Sequence, residues 1–215
     1  MRGSTSREEG DGAHERGGQK QILCDAVLRV AGREGLENTN VQVVVEDAQT
    51  TRDSFHRFFG SIDECFRFAY DRRAQELCEK MLAAGREGTD WPAGLRRALR
   101  VLLEFVAEQP HTAKSLIIEG SRASSSTAET QELVLKRLAR ALDSARRQSG
   151  SRHAAPPLTA DLMVGAITNT LHWLLVKGES SRAPDLLGDY TYLTLLAFFD
   201  EETAYREMES AEEEG

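Results

Sequence analysis

Between residues 41 and 64 the stretch VQVVVEDAQTTRDSFHRFFGSIDE carries two hydrophobic periods at once. Val41, Val43 and Val45 alternate as in a half-buried strand, whereas Val41, Val44, Val45 and Ala48 fall at i, i+3, i+4 and i+7, one stripe of a helix. Two features favour the helix. Thr39-Asn40-Val41-Gln42 matches a capping box, in which Thr39 and Gln42 satisfy free amides at a helix start. The helical stripe also continues to Ala48 after the alternation stops. Weak helix propensity of the valines is the opposing term, and a helix over about 40–48 is predicted.

The same reading orders the rest of the chain. Residues 1–18 mix charges with Gly and Ser and are expected to be a disordered arm. From Gln19 the spacing Ile22, Ala26, Val30 predicts a helix ending near Gly35. Thr51 can cap a helix over 52–59, in which Phe55 and Phe59 are an i,i+4 apolar pair. Ser61-Ile62-Asp63-Glu64 is a second capping box, opening a helix to about residue 84. Two short helices joined by a tight turn predict a helix-turn-helix, with its second helix facing a DNA major groove. Five further helices are expected at about 91–108, 110–122, 130–147, 160–177 (capped by Thr159) and 185–205, with a Ser/Thr-rich loop at 123–130. About nine helices give an all-α fold: an arm at 1–18, a helix-turn-helix domain at 19–66, a helical bundle at 67–206 and an acidic tail at 207–215.

Charge changes this picture little. The net charge of −8 is concentrated in residues 200–215, where eight acids against Arg206 give −7, so the remainder is at −1. That tail reads as a frayed, solvated helix end, and a near-neutral head advertises no broad basic face. Three cysteines without CxxC spacing read as free thiols in a reducing cytoplasm. Histidines lack metal-ligand spacing, and no nucleophile–base pairing or Gly-rich phosphate loop is present, so no metal, cofactor or catalytic residue is expected. The uncharged runs 162–176 and 190–199 fall short of the roughly 17 residues that span a bilayer. Residues 1–21 contain no apolar signal segment. A cytoplasmic location without membrane contact is expected.

The segment QILCDAVLRVAGREGLENTNVQVVVEDAQTTRDSFHRFFGSIDECF (21–66) resembles the N-terminal domain of the TetR family of transcriptional regulators. In that family a helix ends at Gly and is followed by Thr-Thr-Val, Ala-Gly-Val-Ser, Leu-Tyr-x-His-Phe and Ser-Lys-Glu-Glu-Leu. Here those positions read Gly35; Thr39-Asn40-Val41; Ala48-Gln49-Thr50-Thr51; Phe55-His56-Arg57-Phe58-Phe59; and Ser61-Ile62-Asp63-Glu64-Cys65. Four departures stand out. Gln49 replaces the turn Gly, His56 replaces a phosphate-contacting Tyr, Phe58 replaces His, and Ile62 replaces a phosphate-gripping Lys.

The resemblance implies a dimeric, TetR-like repressor that binds a palindromic operator and releases it on binding a small-molecule effector. DNA contacts are then expected from Thr39, Gln42, Thr50, Thr51, Arg52, Asp53, Ser54, His56 and Arg57. Arg52 or Arg57 would read guanine edges, and Thr39 and Gln42 are equally well explained as caps. Convergent polar groups in an apolar helix, Thr168 with His172 and Asn169 with Trp173, are candidates for the effector, with Phe105 and Glu119. Satisfied core groups or a dimer contact are the alternative. The last two helices are apolar on more than one side, which predicts a homodimer interface including Leu171, Leu175, Leu187, Tyr190, Thr194 and Phe198. A rival reading keeps the TetR-fold dimer but weakens or removes operator binding, leaving a sensing or protein-interaction module.

Overall fold

The computed structural model describes residues 5–88, 90–148 and 155–213, and all regular structure among them is helical. Three helices form the head: α1 (Thr5–Glu34), α2 (Val41–Asp47) and α3 (Arg52–Phe58). The contested valine run is α2. Val44, Val45 and Ala48 turn inward and meet Val27, Val30 and Ala31 of α1 and Phe55 and Phe59 in one continuous core. The half-buried strand that the alternation suggested would not bury Val44 and Val45 together, because successive side chains of a strand point to opposite faces.

Local caps explain most boundaries and correct two. Asn40, not Thr39, caps α2: its side chain accepts from the amides of Gln42 at 3.0 Å and Val43 at 3.3 Å. The Thr39 hydroxyl is committed instead to the Gly35 carbonyl at 2.9 Å. Thr51 caps α3 through the Ser54 amide, 3.2 Å. Ser61 caps α4 (Ile62–Arg86) through the Glu64 amide at 3.2 Å, while the Glu64 carboxylate accepts from the Gly60 amide at 2.8 Å. Thr159 does not cap its helix; its hydroxyl donates to the Pro156 carbonyl at 2.8 Å. At the other end, α1 begins inside the segment read as a disordered arm, and residues 1–4 of that arm lie outside the described ones.

The body consists of α4, α5 (Trp91–Glu108), α6 (Pro110–Lys114), α7 (Gly120–Ala123), α8 (Ser125–Gln148), α9 (Thr159–Lys177), α10 (Leu187–Leu196) and α11 (Glu201–Glu213). A π-helical turn, Ser115–Glu119, joins α6 to α7. Carbonyls displaced by that turn find side-chain partners: Leu116 accepts from Tyr70 at 3.2 Å and from Gln131 at 3.1 Å. The close approach behind it has a steric basis, since a Cβ on Gly120 would lie 2.0 Å from the Tyr70 ring. Part of the Ser/Thr-rich segment expected as a loop is the first turn of α8, where Thr127 is buried and donates to the Gly120 carbonyl at 2.6 Å.

The expected last helix is two helices. The first ends at Leu196, and Asp200 caps the second, accepting from the Thr203 amide at 2.9 Å. That bond favours the ionised carboxylate and holds its pKa below the ordinary Asp range. Helix α11 folds back on α10 and α5 with Ala204, Glu207 and Ala211 buried. The acidic tail is therefore not a frayed end as far as Glu213; residues 214–215 lie outside the described ones. Arg96 of α5 pairs with Glu207 at 3.3 Å and donates to the Ser210 carbonyl at 3.2 Å.

Candidate nucleic-acid interface and ligand cavity

Helix α3 is held by its buried side and offers the other. Phe55 is fully buried and Phe59 nearly so, which leaves Arg52, Asp53, His56 and Arg57 exposed on one surface. Gln42 and Thr51 are also exposed and Thr50 is half-buried. Two expected DNA contacts are withdrawn: Thr39 and Ser54 are both 8% exposed and turn into the fold. Ser54 follows Thr51 by three residues, so capping the helix with Thr51 rotates Ser54 toward the core beside Phe55.

A polar chain crosses from α3 to α2 on this surface. Arg52 donates to the Gln42 side chain at 2.8 Å, and Gln42 donates to Glu46. Sequence reasoning missed Glu46; its i,i+4 spacing from Gln42 was the available signal. Glu46 and Asp53 offset Arg52 and Arg57, so the exposed surface carries little net charge. Behind it, Asp47 fixes α2 to α1 through Arg29 at 2.7 Å and Arg33 at 3.1 Å. Burial alone would raise the Asp47 carboxyl, but the two guanidiniums outweigh it and hold the group below its ordinary range.

In the body a cavity of about 370 Å³ lies between α4, α5, α8, α9 and α10. Leucines and alanines dominate its wall, with Leu95, Leu99 and Leu102 from α5 and Leu138 and Leu142 from α8. Ser144, Thr168, Thr194 and Arg86 are its polar lining residues. Helices α4 and α5 close tightly at one end, where a Cβ on Gly94 would meet the Gly85 carbonyl oxygen at 2.4 Å. Of the six residues expected to meet a ligand, Thr168 alone lines this cavity. Asn169 and Trp173 face solvent and His172 is half-buried outside the wall. Phe105 packs beneath the Arg73 guanidinium, 5.2 Å from the ring centre. Glu119 reaches the head, accepting from the Leu36 amide at 3.3 Å. The i,i+4 pairing of polar groups marks a side of α9 that, Thr168 apart, does not line this cavity.

All six residues expected at a dimer interface are buried within the single chain: Leu171, Leu175, Leu187, Tyr190, Thr194 and Phe198. Phe198 packs with Ala139, Ala160 and Trp91, and Thr194 lines the cavity. The exposed apolar positions on these helices are others: Leu162, Trp173 and Val176 on α9, and Leu193 and Leu196 on α10. On α9, positions 162, 166, 169, 173 and 176 follow alternating steps of four and three, a continuous stripe along the helix.

Comparison with solved structures places this architecture. The fatty acid degradation regulator FadR from Bacillus halodurans matches with a TM-score of 0.73 at 14% identity, over 82% of this chain and 94% of its own. FadR from Bacillus subtilis, a transcriptional regulator in complex with stearoyl-CoA, gives 0.69 at 14% identity, over 81% and 96%. A TetR-like transcriptional regulator from Rhodococcus sp. RHA1 gives 0.62 at 24% identity, over 83% and 96%. No protein-family model and no curated protein matches the sequence. The chain has the TetR-regulator fold.

Within the TetR fold the four departures have visible consequences. Gln49 takes the left-handed turn conformation with φ 50°, the geometry that the glycine of the family motif adopts without cost. His56 is exposed and meets Phe55 edge-to-face at 5.4 Å, while Phe58 and Ile62 are half-buried against the core. Ile62 thus strengthens packing where the family motif has a phosphate-binding Lys. Lys20 of α1 lies over the Phe68 ring at 3.6 Å.

All three cysteines are free and buried. Burial pushes the Cys24 thiol up to about 11 and raises Cys65 and Cys78 as well, so none is a ready thiolate. Among the described residues no cluster of His, Cys, Asp or Glu could hold a metal ion, and no helix is long and apolar enough to cross a membrane.

Proposed function

We propose that this chain is a TetR-family transcriptional repressor, a non-catalytic cytoplasmic protein that binds a palindromic operator as a homodimer and releases it when a small molecule fills the cavity. One observation carries the reading: α4 joins the two sites. Its first turns, through Cys65 and Phe66, belong to the core that seats α3, and its last turns, through Met81, Leu82 and Gly85, wall the cavity. An effector that prefers one arrangement of α4 and α5 biases the position of α3, and that preference is all the coupling requires. DNA contacts would come from Gln42, Thr50, Thr51, Arg52, Asp53, His56 and Arg57. The second copy would cover Leu162, Trp173, Val176, Leu193 and Leu196, bringing two α3 helices to adjacent major-groove turns about 34 Å apart.

The stearoyl-CoA of the Bacillus subtilis regulator does not transfer whole to this chain. At roughly 30 Å³ per water-sized group, a cavity of about 370 Å³ admits about a dozen non-hydrogen atoms.

A second reading, the same dimer without operator binding, is supported by the balanced charges on the α3 surface and by Ile62. Fluorescence anisotropy against the gene's own upstream intergenic DNA, at two salt concentrations, separates the two. The repressor reading predicts sequence-specific binding that weakens with salt by a shallow slope, because few phosphates are gripped. Affinity equal to that for random DNA would assign the chain to the second reading.

A further inference from the structure

We infer that the cavity takes an amphipathic monocarboxylate of about a dozen non-hydrogen atoms, its tail among the α5 and α8 leucines and its carboxylate on Arg86. The inference rests on the regulator reading for its biological use, but its chemistry is argued from the cavity alone. Arg86 is the one charged residue in the described wall, and no acid lines it. Its guanidinium is exposed and forms no ion pair or hydrogen bond among the described residues. An unengaged planar fork at the rim of an apolar chamber suits a carboxylate, which it can bind by two parallel hydrogen bonds.

The wall also carries hydroxyl groups, which add no charge to it. Thr168 already donates its proton to the Val164 carbonyl at 2.8 Å, so toward a ligand it can only accept. Thr194 lines the cavity and makes no hydrogen bond among the described residues, so its proton remains to be donated. Arg86 at the rim is therefore the one donor on which the head group's assignment rests.

Position decides where the head must sit. A carboxylate carried into the leucine-lined interior would lose its hydration without a paired charge, a large penalty. At the rim beside an exposed guanidinium it stays partly hydrated, and only the apolar tail needs to enter. The chamber is long enough for such a tail: Trp91 to Leu102 covers about 16 Å of α5 at the helical rise. Decanoate, with a dozen non-hydrogen atoms, fills the volume without exceeding it.

Isothermal titration of the full-length chain with decanoate and with decanol tests this. One decanoate per chain is expected, bound about fivefold more tightly than decanol, the advantage being limited by the exposure of Arg86. Arg86→Gln should bring decanoate down to the affinity of decanol and leave decanol unchanged, while Arg86→Lys should keep part of the advantage. Ala98→Leu, which pushes a larger side chain into the cavity, should weaken both probes, and Ala145→Leu serves the same purpose should the first fail to fold by circular dichroism. Equal affinities for the two probes, or an unaltered decanoate affinity in Arg86→Gln, would overturn the carboxylate assignment in favour of a neutral apolar ligand. Saturable binding of neither probe would overturn it too. These outcomes leave the regulator reading standing or falling on DNA binding by the free protein.

Discussion

Gln49 and Asp47 sit a short distance apart and show how single residues set the head's stability in opposite senses. Gln49 holds a left-handed backbone conformation that costs a side-chain-bearing residue free energy. Gln49→Gly should therefore stabilise the fold by about 0.5–1 kcal/mol, read as a raised urea midpoint with unchanged slope. Asp47, tied to Arg29 and Arg33, acts the other way. Its carboxyl is held below the ordinary value of about 3.9, so the native state favours the ionised form. The resulting stability is complete above about pH 5 and is lost as pH falls through the carboxylate range. Asp47→Asn should cost at most about 1 kcal/mol at pH 7, because both arginines are substantially exposed. The gap between variant and parent should narrow as urea titrations are repeated toward pH 3. These residues were unequally legible. Gln49 was visible as a departure from a motif, whereas nothing in the sequence paired Asp47 with residues 14 and 18 positions earlier.

Among the elements, α11 departs furthest from what its composition suggested. A run of acids at a chain end reads as solvated because each carboxylate is costly to bury. Yet Ala204, Glu207, Met208 and Ala211 recur at helical spacing, and three of them are buried. Asp200 with Thr203 supplies the start signal. Glu207 is buried because Arg96, far away in sequence, meets it. Removing one partner of a nearly buried pair leaves the other uncompensated, so Glu207→Ala should destabilise the chain by about 3 kcal/mol. Thermal unfolding followed by circular dichroism checks this; an unshifted midpoint would mean that α11 is a solvated tail after all. The π-helical turn was equally hidden. Its displaced carbonyls are tolerable only because Tyr70 and Gln131 stand ready to donate, and those partners lie 46 and 15 residues away in the chain.

For the whole molecule, the proposed dimer turns on which apolar surface faces outward. Helices α9 and α10 are apolar on two sides, and periodicity alone did not say which side faces inward. The structure turns Leu171, Leu175 and Tyr190 into the chain and leaves Trp173, Val176 and Leu193 outside. Combining Trp173→Glu with Leu193→Glu should therefore give a folded monomer by light scattering, and operator affinity should fall with it. Leu171→Ala should instead lower stability by about 3 kcal/mol, as for a core leucine, without a direct effect on assembly.

By itself the sequence determined what depends on neighbours along the chain: the helical period of the valine run, the caps at Thr51 and Ser61, and the Phe55–Phe59 pair that seats α3. Those signals live within one or two helical turns, where spacing and hydrogen-bonding chemistry are readable directly. Only the tertiary structure decided which side of a two-faced helix is core, which polar residues reach the cavity, and whether an acidic tail folds. Each of those outcomes is set by a partner remote in sequence, whose packing or charge outweighs the local preference.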